Sequence, residues 1–206
     1  MTIKRGTGRQ ALIEATAEAL RAGREVQIKE IASAVGVSHS LVYRHFPEGG
    51  KEEMVAEGYA HIFRGLAEAD IDTLFDRLQI SGIDETPIRE FILTLLSPKR
   101  ADVRWLRLEA LAQSRRSPFI AARIEEARRQ LIDSFATRLR DLEPRMTIEA
   151  ANAFAILAQA LPLGVTAIGG PSMSKERREV IAQMWAGMLM DALRRAAVTS
   201  ANPSPR

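Results

Sequence analysis

At 206 residues, with 46% hydrophobic and 27% charged side chains, the chain is long enough to bury a core without metal or disulfide staples. It contains no cysteine, which excludes a disulfide framework, a thiolate nucleophile and cysteine-ligated zinc, and fits a reducing compartment. The net charge of +3 permits an anionic partner, but through residue 60 eight lysines and arginines are balanced by eight glutamates, so placement has to carry any nucleic-acid reading.

β-Branched residues never alternate with polar ones over a strand-length run, whereas apolar residues recur at helical spacing almost throughout. The expected fold is all-α, with nine helices near 9–22, 28–35, 39–45, 51–79, 86–96, 101–114, 118–142, 147–168 and 174–197, separated by glycine, proline and serine signals. In the first helix, Glu14 and Glu18 interrupt the run Ala11 to Leu20, so no secretory leader is expected and the expected location is cytoplasmic. The preceding "KRGTGR", with Lys4, Arg5 and Arg9 and no acid, is either a solvated terminus or a basic arm that follows a nucleic-acid backbone into the minor groove.

From Gln27 the chain reads "QIKEIASAVGVSHSLVYRHF". Ile28, Ile31, Ala32 and Val35 mark one buried face, and Gly36 is free to take the left-handed conformation that ends a helix. Ser38 is a candidate N-cap for the next helix, which Val42 and Phe46, four apart, anchor to the first two. This is helix-turn-helix spacing. With those anchors inward, His39, Ser40, Tyr43 and Arg44 point outward or sideways. His39 and Ser40, in the first turn, are the expected readers of base edges, and Tyr43, Arg44 and His45 suit phosphates. Lys29 and Lys51 are expected to grip phosphates as well, Lys51 at a helix start whose backbone amides favour an anion.

The fourth helix carries Val55, Tyr59, Ile62, Leu66, Leu74 and Leu78 at helical spacing, weakened by Gly58 and Gly65. It is expected to join a head, residues 1–57, to a body, residues 58–198. Residues 199–206 are polar and proline-bearing, and read as a disordered tail. Phe91, Leu95, Trp105, Leu108, Phe119, Phe135 and Phe154 are candidates for lining a small-molecule pocket in the body, with ordinary core as the competing role. Arg104, Arg107, Glu109 and Gln113 either orient a ligand there or pair at the surface.

The uncharged stretch Ala150 to Ser174 is long enough for a membrane span. Asn152, Gln159 and Thr166 fall seven apart on one face, however, and Pro162 and Gly164 interrupt it, so a helix buried by protein is the expectation. The last helix aligns Ile181, Met184, Trp185, Met188, Leu189 and Ala192 in one stripe. Two such helices exceed a monomer's needs, so a four-helix bundle between two copies is expected, through Asn152, Gln159, Thr166, Ile181, Met184, Trp185, Met188 and Leu189.

No catalytic constellation competes with this reading. His39, His45 and His61 have no metal-ligand spacing, no nucleophile elbow occurs, and "GTG" at Gly6 to Gly8 follows no strand. Neither a metal nor a cofactor is expected. The acidic doublets Glu52-Glu53 and Glu125-Glu126 read as solvated helix faces. The alternative is an all-α module that binds a small molecule or partner and has a decayed head, which would not need His39, Tyr43, Arg44, Lys51 and a basic arm together.

A first helix ending at Gly23, then "IKEIASAVGVS", then "LVYRHF" and a lysine opening a fourth helix, resembles the DNA-binding head of the TetR family of one-component repressors, over roughly residues 9–57. The most specific part is Ala-x-x-Val-Gly-Val-Ser followed by Tyr-x-His-Phe. The resemblance implies that Lys29, His39, Ser40, Tyr43, His45 and Lys51 fall on DNA-contacting positions, that the body holds an effector pocket, and that the last two long helices form a homodimer. A LacI-like repressor shares "IASAVGVS" but needs an α/β body, for which no strands are visible. This chain departs from the TetR pattern twice. Gln27 stands where a capping Thr is usual, and "PEGGK" is longer by about two residues than the usual Pro-Ser-Lys link, which bears on where Lys51 lies.

Overall fold

The computed structural model describes residues 7–170 and 173–201. Among them the fold is all-α, with no strand and nine α-helices: α1 (Thr7–Arg21), α2 (Ile28–Val35), α3 (His39–His45), α4 (Lys51–Ser81), α5 (Glu85–Leu95), α6 (Ala101–Ser114), α7 (Pro118–Leu142), α8 (Ile148–Gly169) and α9 (Lys175–Ala201). A single 3-10 turn, Pro98–Arg100, precedes α6. The periodicity placed every helix; the main difference is that α9 continues to Ala201 beyond its expected end near 197. No helix breaker occurs before Pro203, and a proline stops a helix only at or just before its own position.

Two compact units make up the chain. The first comprises Met1–Leu66 with Trp105–Arg128. Its core gathers Leu12, Ile13 and Ala19 from α1, Val26 from the link that follows it, Ile31 and Ala32 from α2, Val42 and Phe46 around α3, and Met54 from α4. Three short helices bury too little apolar surface to be stable by themselves, and Met54, completely buried, is the contribution of α4 to closing them.

Gly58 explains itself in this packing. An added Cβ would lie 2.8 Å from Thr16 Cγ2, so the missing side chain lets α4 approach α1 closely, at a helix-propensity cost of about 1 kcal/mol. Thr16 is fully buried, and its hydroxyl donates to Leu12 O at 2.7 Å, which leaves no unsatisfied donor at the crossing.

The second unit comprises Ala67–Arg104 with Arg129–Arg206. Here α5 packs along α9, and Ile71, Leu74, Phe75 and Leu78 of α4 are buried, as are Leu131, Phe135 and Leu139 of α7. The rings of Phe75 and Phe135 meet edge to face at 5.0 Å, a favoured aromatic geometry. The expected α4 stripe is therefore real at Tyr59, Ile62, Leu74 and Leu78, all buried.

The α9 stripe needs correction. Trp185 and Leu189 are buried inside this unit, whereas Met184 and Met188 are 65% and 64% exposed, and Ile181 is half-buried between them. A stripe wider than about 100° faces more than one neighbour, and α5 covers only part of it. The expected burial of α8 is likewise only partial. Phe154, Ala155, Ala158, Leu163 and Thr166 face inward, but Ile156, Leu157 and Ile168 are exposed. Among the described residues α8 alone is long and apolar enough to cross a membrane, with 33% of its apolar window buried.

Candidate nucleic-acid interface

The turn between α2 and α3 is built by backbone geometry. Gly36 takes φ 74°, ψ 29°, the left-handed region where a side chain is strained. The amide of Val37 donates to Ala32 O at 2.9 Å and that of Gly36 to Ser33 O at 3.1 Å, closing α2. Gln27, at the start of that helix, makes no side-chain cap, as its chemistry implies. Ser38 occupies the N-cap position of α3 with extended backbone, but it also makes no side-chain cap, contrary to expectation. Its hydroxyl pairs with Ser40 Oγ at 3.1 Å instead, so the two serines form one exposed hydroxyl couple at the front of α3.

Val42 and Phe46 are 0% exposed, and this sets the rest of α3. His39, Ser40, Tyr43 and Arg44 all lie on the exposed side. The His39 and Tyr43 rings meet edge to face at 5.4 Å, so the two stiffen one another one turn apart. Lys29 on α2 is exposed too. His45 departs from its expected outward placement: it is half-buried, and a Cβ at Gly8 would lie 3.1 Å from its Nε2, so its imidazole leans on α1.

The basic arm also needs revision. Lys4 and Arg5 lie outside the described residues, while Arg9 is inside α1. The Arg9 guanidinium donates to Glu57 Oε1 at 2.6 Å and sits 5.2 Å from the centre of the Phe46 ring. Its charge serves the packing of α1 on α4. Glu57 also takes Arg123 Nε at 3.1 Å, and Arg123 in turn holds Glu126 at 3.0 Å. Burial acts to lower the Arg123 pKa, but Glu57, the Glu126 hydrogen bond and the charges of Glu126 and Glu53 outweigh it and raise it.

"PEGGK" has a specific structure. Gly50 adopts φ 52°, and a Cβ there would lie 2.9 Å from Tyr43 Cε1, so the tyrosine ring lies against the bare glycine. At Gly49 a Cβ would meet Phe119 Cζ at 2.7 Å, so the first residues of α7 rest on this link. The amides of Glu48 and Gly49 donate to Glu53 Oε2 at 3.1 and 3.2 Å. The two loop amides that precede α4 are thus held by a carboxylate of the chain itself. Lys51 remains exposed and lies 3.5 Å from Glu25, a surface pair worth about 0–1 kcal/mol. The reading of Glu52-Glu53 as a solvated helix face needs correction: Glu53 is buried, and its place in the first turn of a helix was the signal for its bonds to the loop; the Phe119 contact had no sequence signal, because seventy residues separate the partners.

The model for "Bacterial regulatory proteins, tetR family" matches residues 12–57, which span this head from Leu12 of its core to Glu57. Residues 12–57 are a tetR-family head. A tetR-family head is a DNA-binding module, and the chain is a DNA-binding transcriptional regulator. No curated protein matches the sequence. Similar solved structures include a protein of Mesorhizobium loti MAFF303099 assigned to the TetR-family transcriptional regulators, at 19% identity and TM-score 0.68 over 92% of this chain and 98% of that one. Salmonella enterica GusR aligns at 19% identity and TM-score 0.61, over 93% and 98%. These likenesses extend the shared fold beyond the head to nearly the whole chain.

Beyond the head, an apolar cavity in the second unit is lined by Phe91, Phe135 and Phe154, with Leu74, Ile88, Trp185 and Leu189 among its other walls. It brings together three of the seven pocket candidates. Trp105, Leu108 and Phe119 belong to the first unit, with Trp105 41% exposed, and Leu95 is not in the cavity wall. Trp185 Nε1 is buried without a hydrogen-bond partner among the described residues, as is Asn152 Oδ1 on α8.

Of the polar candidates, Glu109 accepts the Tyr59 phenol proton at 3.1 Å. Burial, and then Glu109, raise the Tyr59 pKa well above the ordinary value of 10.0. The Arg107 guanidinium lies 4.3 Å from the centre of the Phe63 ring, and Thr166 accepts from buried Arg104 at 2.6 Å, so it faces its own unit and not a partner.

Proposed function

We propose that this regulator is a ligand-responsive homodimeric repressor, cytoplasmic, that reads a near-palindromic operator through α3. The observation that carries the reading is the division of α3 itself: Val42 and Phe46 are completely buried, while His39, Ser40, Tyr43 and Arg44 are exposed on the opposite side. In a helix-turn-helix the front of that helix meets base edges. His39 and Ser40 then read bases, Tyr43 and Arg44 contact phosphates, and Lys29 does so from α2. Lys51 trades Glu25 for a phosphate, which costs at most the ~1 kcal/mol of an exposed pair. Arg5 extends these contacts from the N-terminus.

The exposed apolar residues of the second unit support the homodimer. Ile156, Leu157 and Ile168 on α8, with Val180, Met184 and Met188 on α9, are large apolar side chains left exposed on the two helices expected to pair, and exposed apolar patches mark interaction surfaces. A symmetric pair of such helices closes a bundle and sets the two α3 helices in successive major grooves, about 34–36 Å apart. The effector occupies the body after residue 57, at the apolar cavity of Phe91, Phe135 and Phe154. It releases DNA only to the extent that it binds the released form more tightly. Within the first unit, Phe119 on Gly49 and Arg123 on Glu57 give α7 two holds on the head.

Selection of bound fragments from a random double-stranded DNA pool tests this reading. An enriched inverted repeat with half-sites one helical turn apart is expected. A pool that stays unenriched at moderate salt rejects operator recognition, and an enriched site without symmetry rejects the dimer.

A further inference from the structure

One corner of the second unit carries more positive charge than it balances. Arg104 is 8% exposed, and it donates from Nε to Thr166 Oγ1 at 2.6 Å and from Nη1 to the carbonyl oxygens of Leu95 and Ser97 at 2.6 and 2.9 Å. All three acceptors are uncharged, and among the described residues Arg104 enters no ion pair. The two carbonyls lie at the end of α5 and just beyond it and bring partial negative charge, which accounts for one cation. A second, Arg178, reaches the same place. Its Nη1 donates to Met173 O, and it too has no carboxylate within ion-pair distance among the described residues; the exposed Glu176 acts on it only at longer range. The neighbouring Arg100 is already matched by Asp70.

Arg104 and Arg178 line one small pocket together with Thr166, Gly170, Met173 and Leu96. A guanidinium has five N–H donors, and on Arg104 both donors of Nη2 remain after the bonds above. Charge buried away from water is costly until it is paired.

We propose that this pocket binds a small oxyanion, a carboxylate or phosphate group, held between the guanidinium forks of Arg104 and Arg178. Such a group supplies what the carbonyls and the Thr166 hydroxyl lack, a full negative charge with acceptors spaced for bidentate bonds. The local field points the same way: burial first, then the charges of Arg100 and Arg178, lower the Arg104 pKa, and an anion between the arginines relieves that stress. The pocket takes the anionic group and little else, since it is small. The apolar cavity of the same unit has no charged side chain in its wall and suits uncharged molecules, so the two sites differ in chemistry.

Thermal unfolding of the full chain, titrated with sodium phosphate, sodium acetate and sodium chloride at matched ionic strength, tests the proposal. A ligand that binds the folded state raises the transition temperature saturably. Phosphate, acetate or both should do so where chloride does not, and the arm that responds identifies the group. Arg178→Gln, at a partly exposed residue, should fold normally and raise the half-saturating concentration about tenfold, and Arg104→Gln should remove the response. Because Arg178 lies outside the head, phosphate captured at the DNA-reading surface is unaffected by that variant. Equal responses to all three salts, or an Arg178→Gln protein that titrates like wild type, would overturn the site. The readout uses no DNA, so its failure leaves the repressor reading standing.

Discussion

Replacing Gly49 by Ala isolates the contact between α7 and the link that follows α3. The new methyl would lie 2.7, 2.8 and 3.0 Å from three ring carbons of Phe119, where carbon pairs settle at about 3.5–4.0 Å. Gly49 has no positive φ, so alanine meets no backbone strain, and a less flexible unfolded chain favours it by about 0.4–1 kcal/mol. Forcing a methyl into occupied space costs about 1–3 kcal/mol. Phe119 is half-buried and can swing partly toward water, which places the cost near 2 kcal/mol and the net loss near 1 kcal/mol. The second substitution, Phe119→Leu, separates the causes. Alone it costs about 1 kcal/mol of apolar contact; combined with Gly49→Ala it removes the clash, so the double-mutant cycle should show about 1–2 kcal/mol of favourable coupling. Urea unfolding followed by circular dichroism measures all four proteins. A Gly49→Ala protein more stable than wild type, or substitutions additive within about 0.5 kcal/mol, refutes the reasoning.

The head makes two further predictions. Lys51→Ala should reduce the slope of log affinity against log salt by about one unit without changing sequence preference, and an unchanged slope in fluorescence anisotropy removes its phosphate contact. His39→Ala should relax discrimination at one base position of the selected site, and an unaltered profile sinks its assignment as a reader. Joint Met184→Glu and Met188→Glu substitution should convert dimer to monomer in sedimentation equilibrium while helicity is retained; a dimer that persists rejects the α8 and α9 interface. At alkaline pH the raised Tyr59 pKa favours the folded protein fully below the unfolded value of 10.0 and loses that contribution as pH rises through the folded one. Wild type should therefore lose stability relative to Tyr59→Phe above pH 10, and parallel curves would remove Tyr59 as the cause.

The helices and the head were legible in the sequence because their determinants are local. Apolar spacing of three and four, a glycine able to take positive φ at Gly36, and Val42 four residues before Phe46 each operate within one or two turns, so "GVSHSLVYRHF" carries its own geometry. Three placements were decided by partners far along the chain. Arg9 reads as part of a free basic arm until Glu57 is beside it, and His45 reads as outward until Gly8 supplies a surface to lean on. Met184 and Trp185 are adjacent in one apolar stripe, yet α5 packs on α9 and covers only one of them. Sequence determines which faces of a helix avoid water; only tertiary contact decides which of those faces is covered within the chain, because burial depends on what arrives from elsewhere. The same holds for charge. Arg104 and Arg178 are ordinary arginines on two helices in the sequence, and the fold alone sets them around one pocket without a carboxylate between them.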